Sequence, residues 1–196
     1  MVKYVFITGG VISSVGKGTT AAALGNLFQL RGLKTTILKI DGYLNVDAGL
    51  MSPYEHGEVF VTDDGTEADL DLGQYERFLG RNLTRMNSLT SGRVYLDVLM
   101  KERKGGFLGK TVQIVPHISD RIREWIEETA KGHDCIIVEL GGVAGEVESI
   151  PFLEALRQIM LDNKKDTIFI HVALLPFIDW INESKTKPLQ RSVRDL

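Results

Sequence analysis

The chain has 196 residues, enough for one domain with a hydrophobic core of its own. Its 43% hydrophobic and 25% charged residues are typical of a globular protein, and a net charge of −3 excludes non-specific binding to nucleic acids. We expect no membrane partner, because the chain has no apolar run of about 18 residues and "MVKYVFITGG" predicts a strand and not a signal peptide.

Residues 2–41 predict a strand–loop–helix–strand unit. "KYVFITGG" is a short apolar run that ends in two glycines, as a buried parallel strand does. "TTAAALGNLFQLRG" contains strong helix formers and ends at Gly32, and "KTTILKID" is the next strand. This order predicts the start of a parallel sheet with a right-handed crossover.

The rest of the chain predicts alternating helices and strands after an irregular, carboxylate-rich segment at residues 42–73. Helices are predicted at "QYERFLGRNL", "SGRVYLDVLMKERKG", "HISDRIREWIEETAKG" and "PFLEALRQIMLDN", and strands at "KTVQIVP", "DCIIVEL" and "DTIFIHVALLP". "PLQRSVRDL" resembles the start of a helix, so we expect a truncated domain. The pattern predicts an α/β fold of the three-layer P-loop type (Rossmann-like), with a mostly parallel sheet and helices on both faces.

A glycine-rich turn, "TGGVISSVGKGTT", joins the first strand to the first helix. Backbone N–H groups in such a turn can converge on phosphate oxygens, and the Lys17 ammonium would add a positive charge. A hydroxyl of Thr19 or Thr20 could reach Mg²⁺ or a phosphate. The standard P-loop pattern fails, because five residues separate Gly10 from the Gly-Lys pair and Gly18 follows the lysine. The alternative, an ordinary strand–helix turn, leaves Lys17 unexplained.

Carboxylates at two places are candidates for holding Mg²⁺. "DDGTEADLDLG" carries five of them at positions 63, 64, 67, 69 and 71, although a solvated acidic loop is the alternative. Glu139 ends the strand "CIIVEL", where ligands of parallel sheets bind, and a salt bridge at the strand end is its alternative. Lys39 also lies near a strand end and could stabilise phosphoryl transfer, unless it is a surface lysine.

Cys135 is the only cysteine of the chain. It cannot form an internal disulfide, so we expect a cytoplasmic protein. Its position in an apolar strand predicts a buried residue and not a nucleophile.

Six segments resemble the CTP synthase family in their order and nearly in their spacing. The resemblance runs from residue 2 to the last residue, but it covers only part of the family's synthetase domain. The segments are "FITGGVISSVGKG", "SPYEHGEVFVTDDGTEADLDLGQYERF", "GKTVQIVPHI", "VELGG", "ESIPFLEALRQ" and "KTKPLQ".

The resemblance implies that residues 1–196 are a synthetase (amidoligase) domain without its C-terminal part and without the glutaminase domain that supplies ammonia. It implies an ATP-dependent C–N ligase with Mg²⁺ as cofactor. ATP phosphorylates O4 of UTP, and ammonia then displaces phosphate to give CTP, which is both product and inhibitor. The family forms homotetramers, so we expect a tetramer, with filaments as a further assembly.

The resemblance also assigns residues to roles. Lys17 and Lys39 are the implied catalytic residues, and Asp71 and Glu139 are the implied Mg²⁺ ligands. ATP is assigned to Ser14, Val15, Gly16, Lys17, Gly18, Thr19 and Asp71. UTP or CTP is assigned to Ser13, Glu146, Val147, Glu148, Lys185, Thr186, Lys187, Pro188, Leu189 and Gln190, the last six at a site shared between subunits.

The chain departs from the family mainly around the pyrimidine site. The family has Thr where Val143 and Leu189 stand, and Asp where Glu146 stands. It also has Pro in place of Gly42 and Thr in place of Leu50. Loss of a hydroxyl that bonds a buried ligand costs about 1–3 kcal/mol.

The sequence leaves three candidate functions. The first is synthesis of CTP, and the second is a catalytically weak fragment that binds nucleotide and oligomerises. The third, another P-loop ligase or a partitioning ATPase, does not explain "SPYEHGEVFVTDDG" or "KTKPLQ".

Overall fold

The structure, a computed structural model, describes residues 2–196. Its strands are β1 (Lys3–Gly10), β2 (Thr35–Asp41), β3 (Phe60–Val61), β4 (Glu67–Ala68), β5 (Ser88–Thr90), β6 (Cys135–Leu140), β7 (Thr167–Ala173), β8 (Phe177–Ile178) and β9 (Glu183–Ser184). Its helices are α1 (Lys17–Leu30), α2 (Pro53–His56), α3 (Asp71–Leu79), α4 (Ser91–Arg103), α5 (Ser119–Ala130), α6 (Ile150–Asp162) and α7 (Lys187–Asp195).

Five strands form one sheet in the order β5-β2-β6-β1-β7, and every pair in it is parallel. The central strands β1, β2 and β6 are buried along almost their whole length, as expected for apolar runs with helices on both sides. Because all these strands run parallel, their carboxyl ends meet at one edge of the sheet.

Helices cover both faces of the sheet, and each face has its own core. On one face, Phe6, Leu38 and Val138 pack with side chains of α4, α5 and α6. On the other face, Val5, Ile37 and Ile137 pack with side chains of α1 and α3. Alternate strand residues point to opposite faces, so the apolar runs supply both cores. The predicted three-layer α/β fold is confirmed.

One predicted strand is wrong. Residues 110–116, "KTVQIVP", form no strand: Val115 has an extended backbone, with φ −111° and ψ 123°, and a cis peptide bond joins it to Pro116. The apolar residues of this segment do not enter the sheet: Val112 packs against the edge of one core, whereas Ile114 and Val115 are about half exposed. Alternating apolar residues predict a strand, but a strand also needs a partner strand. The end of this segment packs against the helices α4, α5 and α6 instead.

The irregular segment at residues 42–73 contains the single turn α2, the two-residue hairpin of β3 and β4, and the start of α3. Helix α3 begins at Asp71, earlier than predicted, and ends before Gly80, which takes the left-handed conformation with φ 62°. The three-residue strand β5 was not predicted. Strands this short carry too few residues to show a period.

Cys135 is 1% exposed in β6, as the sequence predicts. Burial raises the pKa of its thiol to about 11, which keeps the thiol protonated at neutral pH. Among residues 2–196, no helix is both long and apolar enough to cross a bilayer.

Phe152 of α6 offers a test of the core between the sheet and α4–α6. Its side chain is 1% exposed, whereas Phe78 of α3 is 38% exposed. We expect Phe152→Ala to lower the free energy of unfolding by about 3–5 kcal/mol, because it leaves a cavity. The matched variant Phe78→Ala should cost about 1 kcal/mol or less. Denaturant unfolding measures both, and equal losses would contradict the assigned core.

Candidate functional site

Three strand ends bring the candidate residues together. Strand β1 runs into the phosphate loop (residues 11–16), which leads directly into α1. Lys39 of β2 and Glu139 of β6 are register partners on adjacent strands, so their side chains lie on the same face of the sheet. Two residues that are 100 positions apart in the chain therefore become neighbours because of strand pairing.

The phosphate loop ends at Gly16, whose φ of 97° lies in the left-handed region that glycine adopts without strain. The first backbone N–H groups of α1 have no acceptor within the helix, and the helix dipole makes this end favourable for an anion. The Thr20 hydroxyl donates to the Gly16 carbonyl over 2.9 Å. Thr19 is exposed and lines the cavity described below, so Thr19 is the hydroxyl available to a ligand.

Two non-glycine residues of the loop also lie in the left-handed region: Val11 with φ 74° and Ser14 with φ 58°. Such a conformation is rare for a β-branched residue and costs about 1–3 kcal/mol. Strain of this kind concentrates at ligand sites, so it supports a functional role for the loop.

Lys17 extends from the first turn of α1 toward the next loop. It is 6% exposed, and its ammonium donates to the Gly142 carbonyl over 2.6 Å. Burial lowers the pKa of the Lys17 ammonium, and the Glu139 carboxylate opposes this effect. The loop after β6 is thus tied to the phosphate loop through this lysine.

Lys39 lies at the centre of a carboxylate cluster. Its ammonium is 3.6 Å from the Asp41 carboxylate and 3.7 Å from that of Glu139, and it donates to the Asp71 carboxylate. Burial alone would lower the pKa of Lys39, but Asp41 and Glu139 outweigh it and hold the pKa well above its usual value. Lys39 is therefore a buried, charged residue and not a surface lysine.

Tyr75 of α3 holds the Glu139 carboxylate. Its hydroxyl is fully buried and donates to the Glu139 carboxylate. Burial raises the pKa of the tyrosine well above its usual range, and the charge of Glu139 adds to this effect, so Tyr75 remains a donor. Glu139 therefore has both a hydrogen-bond donor and a neighbouring cation, which a buried carboxylate needs.

These groups surround one cavity of about 620 Å³ at the carboxyl edge of the sheet. Its lining contains the phosphate loop, both lysines and both predicted metal ligands. The lining residues are Ser13, Ser14, Val15, Gly16, Lys17, Gly18, Thr19, Lys39, Asp41, Glu55, His56, Asp69, Asp71, Gln74, Glu139, Gly141 and Gly142.

A second cavity of about 340 Å³ shares Gly141 and Gly142 with the first. Glu146 and Glu148 also line it, whereas Val147 is absent from its lining and is 78% exposed. The Val143 N–H donates to the Glu146 carboxylate over 3.1 Å, so this side chain braces its own loop.

The segment Lys185–Gln190 lines neither cavity. The Lys185 ammonium pairs with Glu183 at 2.7 Å, and the Gln190 side chain donates to Thr186. Thr186, Lys187, Pro188 and Gln190 are exposed. The structure therefore separates these six residues from the other predicted site residues.

The acidic segment divides into two parts. Asp63, Asp64 and Glu67 are exposed, and the first two accept hydrogen bonds from the Asn82 side chain and the Arg85 N–H. Asp69 and Asp71 face the main cavity. The solvated-loop alternative thus describes the first part of the segment, and the site contains the second.

Sequence reasoning missed several lining residues. Asp41 lies two positions beyond Lys39 on the same strand, so the period of two could have placed it on the same face. His56 and Gln74 show no such pattern, because their positions depend on how α2 and α3 pack.

Fold and site together define an α/β protein of the P-loop type, with a polar cavity where strand ends meet a glycine-rich loop. A family profile described as "CTP synthase N-terminus" matches residues 3–196. The chain belongs to this family.

The relatives agree with this assignment. Over 197 aligned residues, the chain is 58% identical to the CTP synthase of Methanocaldococcus jannaschii. It is 55% identical to those of Rhodopseudomonas palustris and Nautilia profundicola. Each match covers 100% of this chain but only 36% of the relative, so the chain spans about a third of the length of these curated relatives.

Among solved structures, a cobyrinic acid a,c-diamide synthase from Mycobacterium smegmatis, with bound ATP analog and magnesium, matches with a TM-score of 0.35. The sequence identity is 13%, and the match covers 100% of this chain and 79% of that one.

The Asp41 carboxyl should make the free energy of unfolding depend on pH. Burial raises the pKa of its carboxyl from 3.8 to about 7. Between these values the folded protein keeps a proton that the unfolded chain has lost. The contribution to stability is therefore full below pH 3.8 and is lost as the pH rises toward 7.

Asp41→Asn should remove this loss. The free energy of unfolding of the variant, relative to wild type, should rise by a few kcal/mol, in order of magnitude, between pH 4 and pH 7. Urea unfolding at a series of pH values measures the difference. Parallel curves for the two proteins would contradict the assignment.

Proposed function

We propose that this chain binds ATP with Mg²⁺ and a uridine nucleotide, and that it is the synthetase part, residues 1–196, of an enzyme that aminates UTP to CTP. One observation carries the proposal: in a chain of this family, two buried lysines and the phosphate loop face Asp71 and Glu139 across a single cavity. Two cations beside free helix N–H groups suit a triphosphate.

The ATP site is assigned to the phosphate loop and the first turn of α1, residues 14–19. The N–H groups of the helix end and the Lys17 ammonium would contact the phosphates. The Thr19 hydroxyl accepts a long hydrogen bond of 3.4 Å from the Gln74 side chain and could donate to a phosphate. Lys39 would lie near the phosphoryl group that is transferred, where a cation stabilises the developing charge.

The residues present also fit Mg²⁺. This ion is commonly held by one or two carboxylates together with phosphate oxygens and water, and Asp71 and Glu139 supply two carboxylates beside the phosphate loop. Among the described residues, no three His, Cys, Asp or Glu side chains form a metal cluster, so the remaining ligands would come from the nucleotide. When bound, the ion would neutralise phosphate charge.

The proposed reaction has two steps. O4 of UTP attacks the γ-phosphorus of ATP, ADP leaves, and N3 of the uracil loses its proton as O4 takes up the phosphate. Ammonia then attacks C4, and hydrogen phosphate departs with one of the ammonia protons to give CTP. Lys17 and Lys39 orient the phosphates and stabilise their charge in the first step. We assign the ammonia supply to a glutaminase domain outside this chain.

The pyrimidine nucleotide is assigned to the second cavity and its surroundings, with Ser13, Glu146, Val147 and Glu148 as contacts. This cavity adjoins the first one through Gly141 and Gly142, so the two proposed nucleotide sites would be neighbours. The segment Lys185–Gln190 lines neither cavity of its own chain, and we assign it to a site shared with another subunit of a tetramer.

Incubation with UTP, ATP, Mg²⁺ and ammonium, followed by chromatography of the nucleotides, tests the reaction. CTP is the expected product. The second candidate, a fragment that binds without turnover, is favoured by the Glu146 carboxylate, which is engaged by the Val143 N–H of its own loop. It predicts a rise in the thermal unfolding midpoint with nucleotide but no CTP. Absence of both CTP and stabilisation would reject both candidates.

Lys17→Ala tests the phosphate loop. Loss of a charged hydrogen-bond donor should weaken Mg-ATP binding by about 10- to 100-fold and abolish turnover, with the fold intact. Lys34→Ala is the matched control, because this exposed lysine precedes β2 at the opposite edge of the sheet. Calorimetric titration measures both variants, and wild-type affinity in Lys17→Ala would remove the loop assignment.

Asp71→Asn and Glu139→Gln test the metal site. Each should raise the Mg²⁺ concentration needed for half-maximal ATP binding by about tenfold, because each removes one anionic ligand. Glu67→Gln is the control, since Glu67 belongs to the same acidic segment but is exposed and lines no part of the cavity. An unchanged Mg²⁺ requirement in both variants would move the metal elsewhere.

A further inference from the structure

Helix α7 is attached to the sheet in an unusual way. Ser192 is its only buried residue, whereas Leu189 is partly buried and Val193 is 54% exposed. A surface helix normally docks through a buried apolar face. The position of α7 therefore depends in part on the polar contact of Ser192.

Ser192 is the end of a hydrogen-bonded chain that we call the His171 bridge, formed by Thr8, His171 and Ser192. The Ser192 hydroxyl is 2.8 Å from Nε2 of His171, and Nδ1 of the same ring is 2.9 Å from the Thr8 hydroxyl. Thr8 and His171 are register partners on β1 and β7. Because both ring nitrogens are engaged, the orientation of the imidazole is fixed.

The His171 bridge touches the base of the phosphate loop. A Cβ atom at Gly10 would collide with the Ser192 hydroxyl and would come within 2.5 Å of Nε2 of His171. The other end of α7 approaches the loop after β6, since a Cβ atom at Gly145 would lie 2.7 Å from that of Asp195. Helix α7 thus packs against two loops, one at the ATP site and one at the pyrimidine site proposed above.

We propose that His171 is a positioning residue: through Ser192 it holds α7, and with it the segment Lys185–Gln190, in a fixed place relative to the phosphate loop. The inference rests on the proposed function, because it concerns how the pyrimidine-nucleotide segment is presented. His171 contacts no substrate in this role.

The charge state of the ring is consistent with the bridge. Burial lowers the pKa of His171, and the positive charge of Lys17 lowers it further. At neutral pH the ring is therefore uncharged, with one nitrogen as donor and the other as acceptor. Hydroxyl groups can take either role, so Thr8 and Ser192 suit both tautomers.

Calorimetric titrations of UTP and of Mg-ATP into the whole chain test the inference with four variants. Ser192→Ala removes the link to α7. His171→Gln places an amide nitrogen near the position of Nε2 and keeps that link, whereas His171→Asn mimics Nδ1 and loses it. Val193→Ala is the matched control, because this neighbour on α7 is exposed.

We expect Ser192→Ala and His171→Asn to raise the Kd for UTP about five- to tenfold, the effect of one lost hydrogen bond. The Kd for Mg-ATP should change less than about twofold, since the ATP contacts remain. His171→Gln and Val193→Ala should stay close to wild type for both ligands.

Each other outcome overturns a distinct claim. Wild-type UTP affinity in Ser192→Ala, or in His171→Asn if the serine variant fails to fold, removes the positioning role and leaves the proposed function intact. Equal losses of affinity for UTP and for Mg-ATP, or a His171→Gln variant that binds UTP as weakly as His171→Asn, would show that the His171 bridge is only a structural contact. Failure of the unmodified chain to bind either nucleotide rejects the proposed function itself.

Discussion

The site depends on one buried cation. Lys39 is 6% exposed, and the carboxylates around it come from its own strand, from β6 and from the start of α3. A buried ammonium is strongly unfavourable without partners, and a buried carboxylate is equally so. The pairing of β2 with β6 and the docking of α3 must therefore form together, because each supplies a charge that the others need.

The cluster is left with more negative than positive charge. The lining of the main cavity carries two lysines against five carboxylates: Lys17 and Lys39 against Asp41, Glu55, Asp69, Asp71 and Glu139. Burial raises the pKa of Asp41 to about 7, and the negative charges of Asp69, Glu139 and Asp71 add to this effect, because a proton relieves both costs. A divalent cation would reduce the repulsion between the carboxylates more effectively than a proton. The phosphates bound with that cation would bring negative charge back into the cavity, and the two lysines lie where they can neutralise it.

Sequence predicted the layers because they depend on local patterns. The apolar runs of β1, β2 and β6 and the glycines after α1 and α5 are visible in the chain, and strand ends predicted Lys39 and Glu139. The strand predicted at residues 110–116 was wrong, because whether a segment pairs as a strand depends on the whole sheet. Tyr75 and His171 were missed for the same reason, since their partners lie 64 and 21 positions away.

The loop after β6 is held in place by two hydrogen bonds. The Glu146 carboxylate accepts one from the backbone N–H of Val143, over 3.1 Å, within the same loop. A carboxylate that is engaged by its own loop is less available to a ligand. Ala144 donates its N–H to the Gly9 carbonyl at the base of the phosphate loop over 2.8 Å. The backbone that joins the two proposed sites is therefore fixed from both sides, and Glu148 is the carboxylate of this loop that lines the second cavity without such a bond.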